Sequence, residues 1–312
     1  MGRAELPSPS PTMRRIGNLL YTRRWLRLAI LLVLPVAWLV GVYGGSLASL
    51  LVNSFYTTDS FSGTIDRTPT LETWGQVFTD ANMAVAGRTI AMASGVTIAA
   101  VLIGFPLAYR IARYTRGKTK TALVLAVLIP LWSSYLVRVY AWKLLLASEG
   151  VAAWAFDLVG GGRVLDFVLD LPVIGGPSLS TSSLGQFVVF TYIWLPYMVL
   201  PIMAAVERLP ESLLEASADL GSRPASTFRR ITWPLVLPGV AAGSIFTFSL
   251  TLGDYIIPTV IGDSSPFIGL AIYSQQGVAG NLPLAAALAV IPIAVMALYL
   301  TGARKLGAFE AL

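Results

Sequence analysis

The chain has 312 residues, of which 55% are hydrophobic and 12% are charged, and its formal net charge is +6. Soluble domains are nearer a quarter charged, so this composition indicates a protein that crosses a membrane several times. The chain contains no cysteine and no histidine, which excludes disulfides and argues against metal sites and Ser-His catalytic triads. We therefore predict no catalytic residue and no metal ligand.

The first segment, residues 1–27, is polar and rich in proline and arginine, and we expect it to be a cytoplasmic tail. The apolar run that follows is too long for the core of a cleavable signal peptide and shows no convincing cleavage site. It is predicted to stay in the membrane as the first span.

Six apolar stretches are long enough to cross a bilayer as helices, which takes about 20 residues. They are residues 28–52, 83–109, 122–146, 184–206, 238–262 and 283–303. These bounds define a transmembrane domain over 28–303 and a cytoplasmic tail over 304–312. The chain is thus predicted to be an all-α membrane protein with six transmembrane helices.

Lysine and arginine set the predicted orientation. Most of the 22 basic residues lie before span one, in the loops after spans two and four, or after span six, whereas the predicted outer loops hold only Arg67 and Arg163. The positive-inside rule therefore places both termini in the cytoplasm. Most acidic residues lie outside, either as ordinary solvated surface or as a face that attracts cations. No soluble domain carries a basic face, so nucleic-acid binding is not expected.

The loop after span two contains a misleading motif. Gly117, Lys118 and Thr119 look like the end of a phosphate-binding GxxxxGK[ST] loop, but Ala112 stands where its first glycine belongs, and no soluble strand precedes it. The segment is predicted to be a basic turn that anchors the spans. We therefore expect this chain to bind neither ATP nor another cofactor.

Aromatic residues are frequent in spans three and four. Tyr135, Arg138 and Trp142 share one face of span three, and Tyr192 lies in span four with Trp194 and Tyr197. Aromatic faces attract ammonium groups, so these rings could guide a cation. The alternative is an ordinary aromatic belt or helix packing.

The loop of residues 207–238, between spans four and five, is predicted to be a helix–turn–helix. Pro210 and Glu211 suit the start of its first helix, and Gly221 suits the stop. Ser222 is predicted to cap a short second helix that has Pro224 in its first turn. Pro234 and Pro238 are expected to end this second helix before span five. The first helix has an apolar face, formed by Leu209, Leu213, Ala216 and Leu220.

This helix–turn–helix could rest on lipid or on a protein. A helix bound to lipid carries lysine and arginine beside a broad apolar face. The first helix instead carries Glu207, Glu211, Glu215 and Asp219, which anionic lipid repels. A protein partner is therefore favoured.

Asp254 lies well within predicted span five, and an ionisable group at membrane depth costs a few kcal/mol unless it pairs or lines a cavity. Three interpretations stay open. Asp254 could pair with Arg138 as a structural strut. It could face a substrate path at the end of a polar stripe with Thr247 and Thr251. It could also cap the backbone where Gly253 and Pro258 loosen the helix.

One motif in the 207–238 loop carries a family resemblance. The loop contains Glu215, Ala216 and Ser217, then Gly221 after three residues, Ile231 after nine more, and finally Pro234. This pattern resembles the EAA loop of ABC importer permeases. The chain departs from that pattern at Ser217 and Trp233. The resemblance implies a type I ABC importer permease fold whose cytoplasmic coupling helix docks on an ATP-hydrolysing subunit, with Phe228 on its apolar edge.

Two further runs narrow the resemblance. PLWSSYLVRVYAW at 130–142 and SLTLGDYIIPTVIG at 249–262 are similar to spans three and five of the B-type membrane subunit of spermidine/putrescine importers. This implies a non-catalytic permease of the bacterial inner membrane that forms a heterodimer with a second homologous permease. The other implied partners are an extracytoplasmic substrate-binding protein and two ATP-binding subunits, which would hold the ATP and Mg²⁺.

The resemblance implies a polyamine as the cargo, with thiamine or ferric iron as alternatives. The candidate path residues for such a cargo are Asp254, Tyr135, Trp132, Arg138, Trp142, Tyr192, Thr251 and Tyr255.

Two functions from other classes fit less well. An ion-driven secondary transporter would usually show internal repeats and more than six spans. An intramembrane enzyme with an acid dyad needs two carboxylates at one depth, and only Asp254 lies well within a predicted span.

Overall fold

The computed structural model describes residues 24–59, 62–263 and 265–305, so most of the predicted 1–27 tail and residues 306–312 of the C-terminal tail lie outside the described residues. The chain divides into two units at Asn53. In the first unit, helix α1 (Arg24–Trp38) continues through a π-helical turn (Leu39–Gly44) into α2 (Gly45–Asn53). Within it, Leu31–Asn53 is apolar and long enough to cross a membrane, as predicted.

The second unit begins with a small hairpin and the longest helix. Two-residue strands β1 (Thr57–Thr58) and β2 (Ile65–Asp66) pair antiparallel, a minor departure from the all-α prediction. Helix α3 (Glu72–Val77) leads into α4 (Asp80–Tyr114), which has 35 residues and passes through Pro106 without a break. Neighbouring membrane helices re-satisfy the backbone groups that such a proline frees.

Predicted span three is two helices rather than one. Helices α5 (Gly117–Trp132) and α6 (Tyr135–Leu145) meet at an angle of 98°. Ser133 between them is extended, Ser134 is also non-helical, and the Ser133 hydroxyl donates to the Pro130 carbonyl at 2.9 Å. Serine competes with the helical ladder in this way, which explains why an apolar run of sufficient length still bends.

The large loop after α6 is structured. It holds α7 (Val151–Leu158), α8 (Gly162–Leu169) and a 3-10 turn (Leu179–Thr181) before α9 (Ser183–Glu207) begins. The Ser182 hydroxyl caps α9 by accepting from the Gly185 N–H at 3.0 Å.

The 207–238 loop contains α10 (Glu211–Asp219) and α11 (Pro224–Thr227), and the prediction that Pro234 and Pro238 close a short second helix is wrong. Helix α11 instead continues through a π-helical turn (Phe228–Thr232) into α12 (Trp233–Gly253). The wider turn moves carbonyls away from the Pro234 ring, which would clash with the carbonyl four residues back in a regular helix.

The N-terminal cap of α11 also differs from the prediction. Arg223, not Ser222, is the cap residue, and it makes no side-chain cap bond. Ser222 lies one residue before the cap position and belongs to the end of α10, where its N–H donates to the Ser217 carbonyl at 3.0 Å.

Predicted span five ends early as well. Helix α12 stops at Gly253, and the separate helix α13 (Ile256–Val260) follows, so the predicted bounds of 238–262 are wrong at both ends. The remaining helices are α14 (Ile268–Gly277), which was not predicted, and α15 (Leu282–Lys305), which matches span six. By length and composition, five described helices can cross a membrane, or six if α5 and α6 form one broken span.

Helices α4, α9 and α12 pack against one another and supply many of the residues of two buried apolar clusters in the second unit. Gly239 and Gly243 lie where α12 meets α9. A Cβ atom added at Gly239 would stand 2.5 Å from the Ala205 Cβ, and one at Gly243 would stand 2.9 Å from the Met198 sulfur. Small residues four apart let helix backbones approach closely. The sequence analysis missed this pair, although two glycines at that spacing in an apolar span are a known signal.

Candidate functional site

The turn after α10 requires glycine. Gly221 has a φ of +71°, its N–H donates to the Ala218 carbonyl at 2.8 Å, and the Ser222 N–H donates to the Ser217 carbonyl at 3.0 Å. These two bonds are a Schellman motif, in which glycine adopts the left-handed conformation without a Cβ penalty. The predicted helix stop at Gly221 is confirmed.

Ser217 joins the two helices of the 207–238 loop. Its hydroxyl lies 2.8 Å from the Thr227 hydroxyl, and the residue is only 6% exposed. The departure from the EAA pattern at this position therefore adds a hydrogen bond between α10 and α11. The bond fixes the angle between them at the turn.

The rest of the EAA-like motif leaves an apolar surface open. Glu215 and Ala216 are exposed, Ile231 is half-buried, and Pro234 is exposed. Leu220, beside the turn, is 85% exposed. Phe228 is 40% exposed, and its ring also packs on Phe105 (ring centroids 5.7 Å apart) and Trp233 (6.2 Å). Phe228 therefore packs against Phe105 and Trp233 while part of its side chain remains exposed.

Asp254 does not lie inside a span helix. It is the extended residue that ends α12, and its Oδ1 accepts the N–H groups of Ile256 at 2.7 Å and Ile257 at 3.0 Å. These are bonds to the otherwise unpaired donors at the start of α13. Of the three interpretations of Asp254, the structure shows the backbone cap.

The second oxygen of Asp254 has a partner that the sequence analysis did not pair with it. The Tyr135 hydroxyl donates to Oδ2 of Asp254. Tyr135 is the first residue of α6, so this bond connects the break in span three to the break in span five. We call this pair of residues the intramembrane junction.

Arg138 does not pair with Asp254 in this conformation, so the strut is not formed. Its Nε and Nη1 atoms are buried and have no hydrogen-bond partner among the described residues. The guanidinium carbon lies 6.0 Å from the centroid of the Tyr135 ring, within the range of a cation–π contact.

Aromatic contacts tie α6 to α9 around the junction. Tyr135 stacks on Trp194 with ring centroids 5.7 Å apart, and Trp194 lies 5.8 Å from Tyr197. The ring centroids of Trp142 and Tyr192 are 4.9 Å apart. Most of the predicted aromatic path residues are therefore brought together. Trp132 and Tyr255 are not among these contacts. Trp132 lies at the end of α5 before the bend and is 82% exposed, and Tyr255 contacts α14.

The predicted polar stripe on span five is turned inward. Thr247 and Thr251 are fully buried, and their hydroxyls donate to the carbonyls of Gly243 and Thr247, at 3.1 Å and 2.8 Å. Because both side chains are fully buried and each hydroxyl proton bonds its own helix, Thr251 presents no polar group to a path in this conformation.

A cavity of about 230 Å³ lies beside the junction, and Tyr255, Tyr273 and Gln276 are among the residues that line it. The rings of Tyr255 and Tyr273 stack with centroids 4.7 Å apart. Tyr255 was predicted as a path residue, whereas Tyr273 and Gln276 were missed. They lie on α14, whose 10 residues are too few for a search that looks for membrane-length apolar runs.

Comparison with known proteins identifies relatives over most of the chain. Residues 104–304 match the family model described as the inner membrane component of binding-protein-dependent transport systems. The chain is 50% identical over 308 residues to the inner membrane ABC transporter permease protein YdcU of Escherichia coli (strain K12), with 98% of each chain covered.

A second relative and one solved structure extend this comparison. The chain is 28% identical over 272 residues to the spermidine/putrescine transport system permease protein PotB of Escherichia coli (strain K12), covering 86% of this chain and 94% of the relative. A chain of a bacterial alginate ABC transporter, solved in complex with its alginate pentasaccharide-bound periplasmic protein, matches with a TM-score of 0.65 and 16% identity, over 93% of this chain and 96% of that chain. At that identity, the structural match shows the fold alone.

Proposed function

Because this chain belongs to the family of binding-protein-dependent transport system inner membrane components, and is a permease subunit of an ABC importer in the bacterial inner membrane, we propose that its cargo is a polyamine such as spermidine or putrescine. The similarity to PotB, which covers 94% of that relative, supports this cargo. The observation that carries the proposal is the Asp254 carboxylate at the intramembrane junction.

The carboxylate of Asp254 has room for one more donor. An ionised carboxylate offers about four acceptor positions on its two oxygens. Two N–H groups of α13 and the Tyr135 hydroxyl occupy three of them. An ammonium group of the cargo would take the remaining one, which offsets part of the cost of bringing a cation to membrane depth.

Aromatic rings beside Asp254 extend this attraction along a path. Tyr255 and Tyr273 line the cavity next to Asp254, Trp194 stacks on Tyr135, and Tyr197 contacts Trp194. The faces of such rings attract ammonium groups. A flexible chain with several ammonium groups can contact more than one of these rings at once, whereas a compact metal ion would need further oxygen ligands. Arg138 opposes a cation, so its removal should not weaken uptake.

The 207–238 loop is proposed to be the joint with the ATP-hydrolysing subunit. The Schellman turn at Gly221 and the Ser217–Thr227 bond give the loop a fixed shape, and Leu220 and part of Phe228 remain exposed for a partner. The acidic first helix favours a protein over anionic lipid. In this proposal, ATP and Mg²⁺ bind the partner subunit, and the chain converts hydrolysis into alternating access.

The proposed assembly contains a second homologous permease, two ATP-binding subunits and an extracytoplasmic substrate-binding protein. The matched family is described as a component of binding-protein-dependent transport systems, and this supports a binding protein here.

Transport by the assembled complex in proteoliposomes tests the cargo. We expect ATP-driven uptake of spermidine or putrescine from a panel that also contains thiamine and ferric iron. A complex with an inactive ATPase subunit serves as the control. Uptake of thiamine or iron without uptake of either polyamine would contradict the proposal and favour the corresponding alternative.

A further inference from the structure

Helix α4 holds the entry of the 207–238 loop through Arg113. The Nη2 atom of Arg113 donates to the Leu209 carbonyl at 2.7 Å, and Nη1 lies 3.9 Å from the Glu211 carboxylate. Leu209 and Glu211 flank Pro210, the residue that precedes α10. A single guanidinium therefore contacts both sides of the point where the first loop helix begins.

The surroundings of Arg113 make this contact specific. The Arg113 side chain is 14% exposed, and its Nε is buried and unpaired among the described residues, which costs free energy. Hydrogen bonds from a charged donor are stronger than neutral ones, and only the forked guanidinium can reach two acceptors in a fixed geometry. The position therefore uses properties that are particular to arginine.

Three further contacts connect the loop region to α5 and α4. Lys120, in the first turn of α5, pairs at 2.7 Å with Glu207, the last residue of α9. At the exit of the loop, Phe105 of α4 packs edge-on against Phe228 at 5.7 Å and lies 5.6 Å from Trp233. Helix α4 thus contacts the loop at its entry and at its exit, although Arg113 and Leu209 are 96 residues apart in the sequence.

Stability does not explain the Lys120–Glu207 link. The Lys120–Glu207 pair is about two-fifths exposed, and pairs of this kind contribute little to stability. Covalent continuity would carry movement of the loop only into α9 and α12. We infer that Arg113 is a positioning residue that transmits movement of the 207–238 loop into α4. This inference rests on the proposed coupling function of the loop.

A single fluorescent probe on α4 tests the inference without knowledge of the cargo. The chain has no cysteine, so Leu102→Cys, at a position that is 69% exposed on α4, gives one labelling site in a complex whose other subunits lack cysteine. The measurement is the fluorescence change when MgATP is added to the reconstituted complex. We expect most of this change to be lost in Arg113→Gln, because glutamine has neither the charge nor the forked donors that make both contacts. Arg116→Gln, an exposed arginine in the same segment, is the matched control and should leave the signal intact.

The outcomes separate this inference from the coupling function itself. If Gly221→Val abolishes the signal and Arg113→Gln retains it, the role of Arg113 is wrong and the coupling loop stands. If neither variant changes the signal, the coupling function is wrong, and this inference falls with it. Should Arg113→Gln fail to assemble, Arg113→Lys decides, because lysine keeps the charge but makes a single contact. A partial signal then supports the inference, and a full signal overturns it.

Discussion

The Tyr135 hydroxyl donates to the Asp254 carboxylate, and this bond joins two helix breaks that are 119 residues apart in the sequence. One break separates α5 from α6, and the other separates α12 from α13. Broken helices at membrane depth are tolerated where the freed backbone groups are satisfied or line a cavity. Asp254 satisfies two such groups and adjoins the cavity residue Tyr255, so it connects the fold to the proposed path.

Asp254→Asn should cut polyamine uptake at least about tenfold while expression and assembly hold. Asparagine keeps the size and one acceptor oxygen for the α13 backbone, but loses the charge. At an effective dielectric near 20, an ammonium contact at about 4 Å is worth on the order of 4 kcal/mol before desolvation, and a fraction of this suffices. Initial uptake rates in proteoliposomes measure the effect, with the exposed Asp263→Asn as control.

Two outcomes would change the role of Asp254. Uptake near the wild-type rate in Asp254→Asn would leave the residue as a local cap only. Loss of assembly that Arg138→Gln partly restores would instead favour a strut that forms in another conformation.

Tyr135→Phe should weaken the intramembrane junction without disturbing the aromatic packing. The phenyl ring can still stack on Trp194, but the bond to Asp254 is lost, at a cost of about 1.5–3 kcal/mol for a hydrogen bond to a charged group. We expect a lower thermal unfolding temperature of the complex and slower uptake. Tyr140→Phe, on the same helix and 54% exposed, is the control. Equal unfolding temperatures for the two variants would show that the bond does not matter to the fold.

Gly239→Val should prevent close packing of α12 on α9. Even one added carbon at Gly239 would lie 2.7 Å from the Pro201 carbonyl oxygen, and overpacking of this kind costs roughly 1–3 kcal/mol. The expected result is a lower yield of assembled complex on size-exclusion chromatography. Gly302→Ala, where an added carbon meets nothing within 4 Å, should behave as wild type. Normal assembly of Gly239→Val would contradict the packing described for this pair of helices.

Gly221→Val and Glu215→Lys should each abolish transport while the protein still inserts into the membrane. Valine is strained at a φ of +71°, and a lysine reverses a charge on the exposed surface of the 207–238 loop. Ser217→Ala loses only the bond to Thr227 and should retain most activity. The measurement is ATP hydrolysis stimulated by the binding protein. Normal stimulation in both severe variants would rule out a coupling role for the loop.

Single cysteines test the predicted orientation. Cysteines at Thr119 and Ser222 should react only from the cytoplasmic side, and cysteines at Ser62 and Ser148 only from the outside, with membrane-impermeant maleimides. All four positions are exposed, whereas Ser217 is buried and would label poorly from either side. Labelling of Ser222→Cys from outside would reverse the assigned topology.

The sequence predicts much of this architecture because apolar length and charge asymmetry are local signals. The stop at Gly221 could be predicted for the same reason, since a left-handed turn depends on that residue itself. The bend at Ser133 could not, because serine is compatible with a continuous span. A break at Gly253 stayed one of three open interpretations, because membrane helices also tolerate glycine. Tertiary contacts, such as that between Tyr135 and Asp254, decide these cases. Pro234 misled the prediction because a π-helical turn accommodates it.

The continuity of α11, the π-helical turn and α12 has a geometric consequence. Pro224–Gly253 spans 30 residues, which at 1.5 Å per residue is a rod about 45 Å long. One end carries the surface of the 207–238 loop, and the other end stops next to Asp254. A tilt of about 5° at the loop would displace the far end by about 4 Å, which is more than a hydrogen bond can stretch. A rigid tilt of this kind about the loop would therefore break the Tyr135–Asp254 bond unless α6 moves with it.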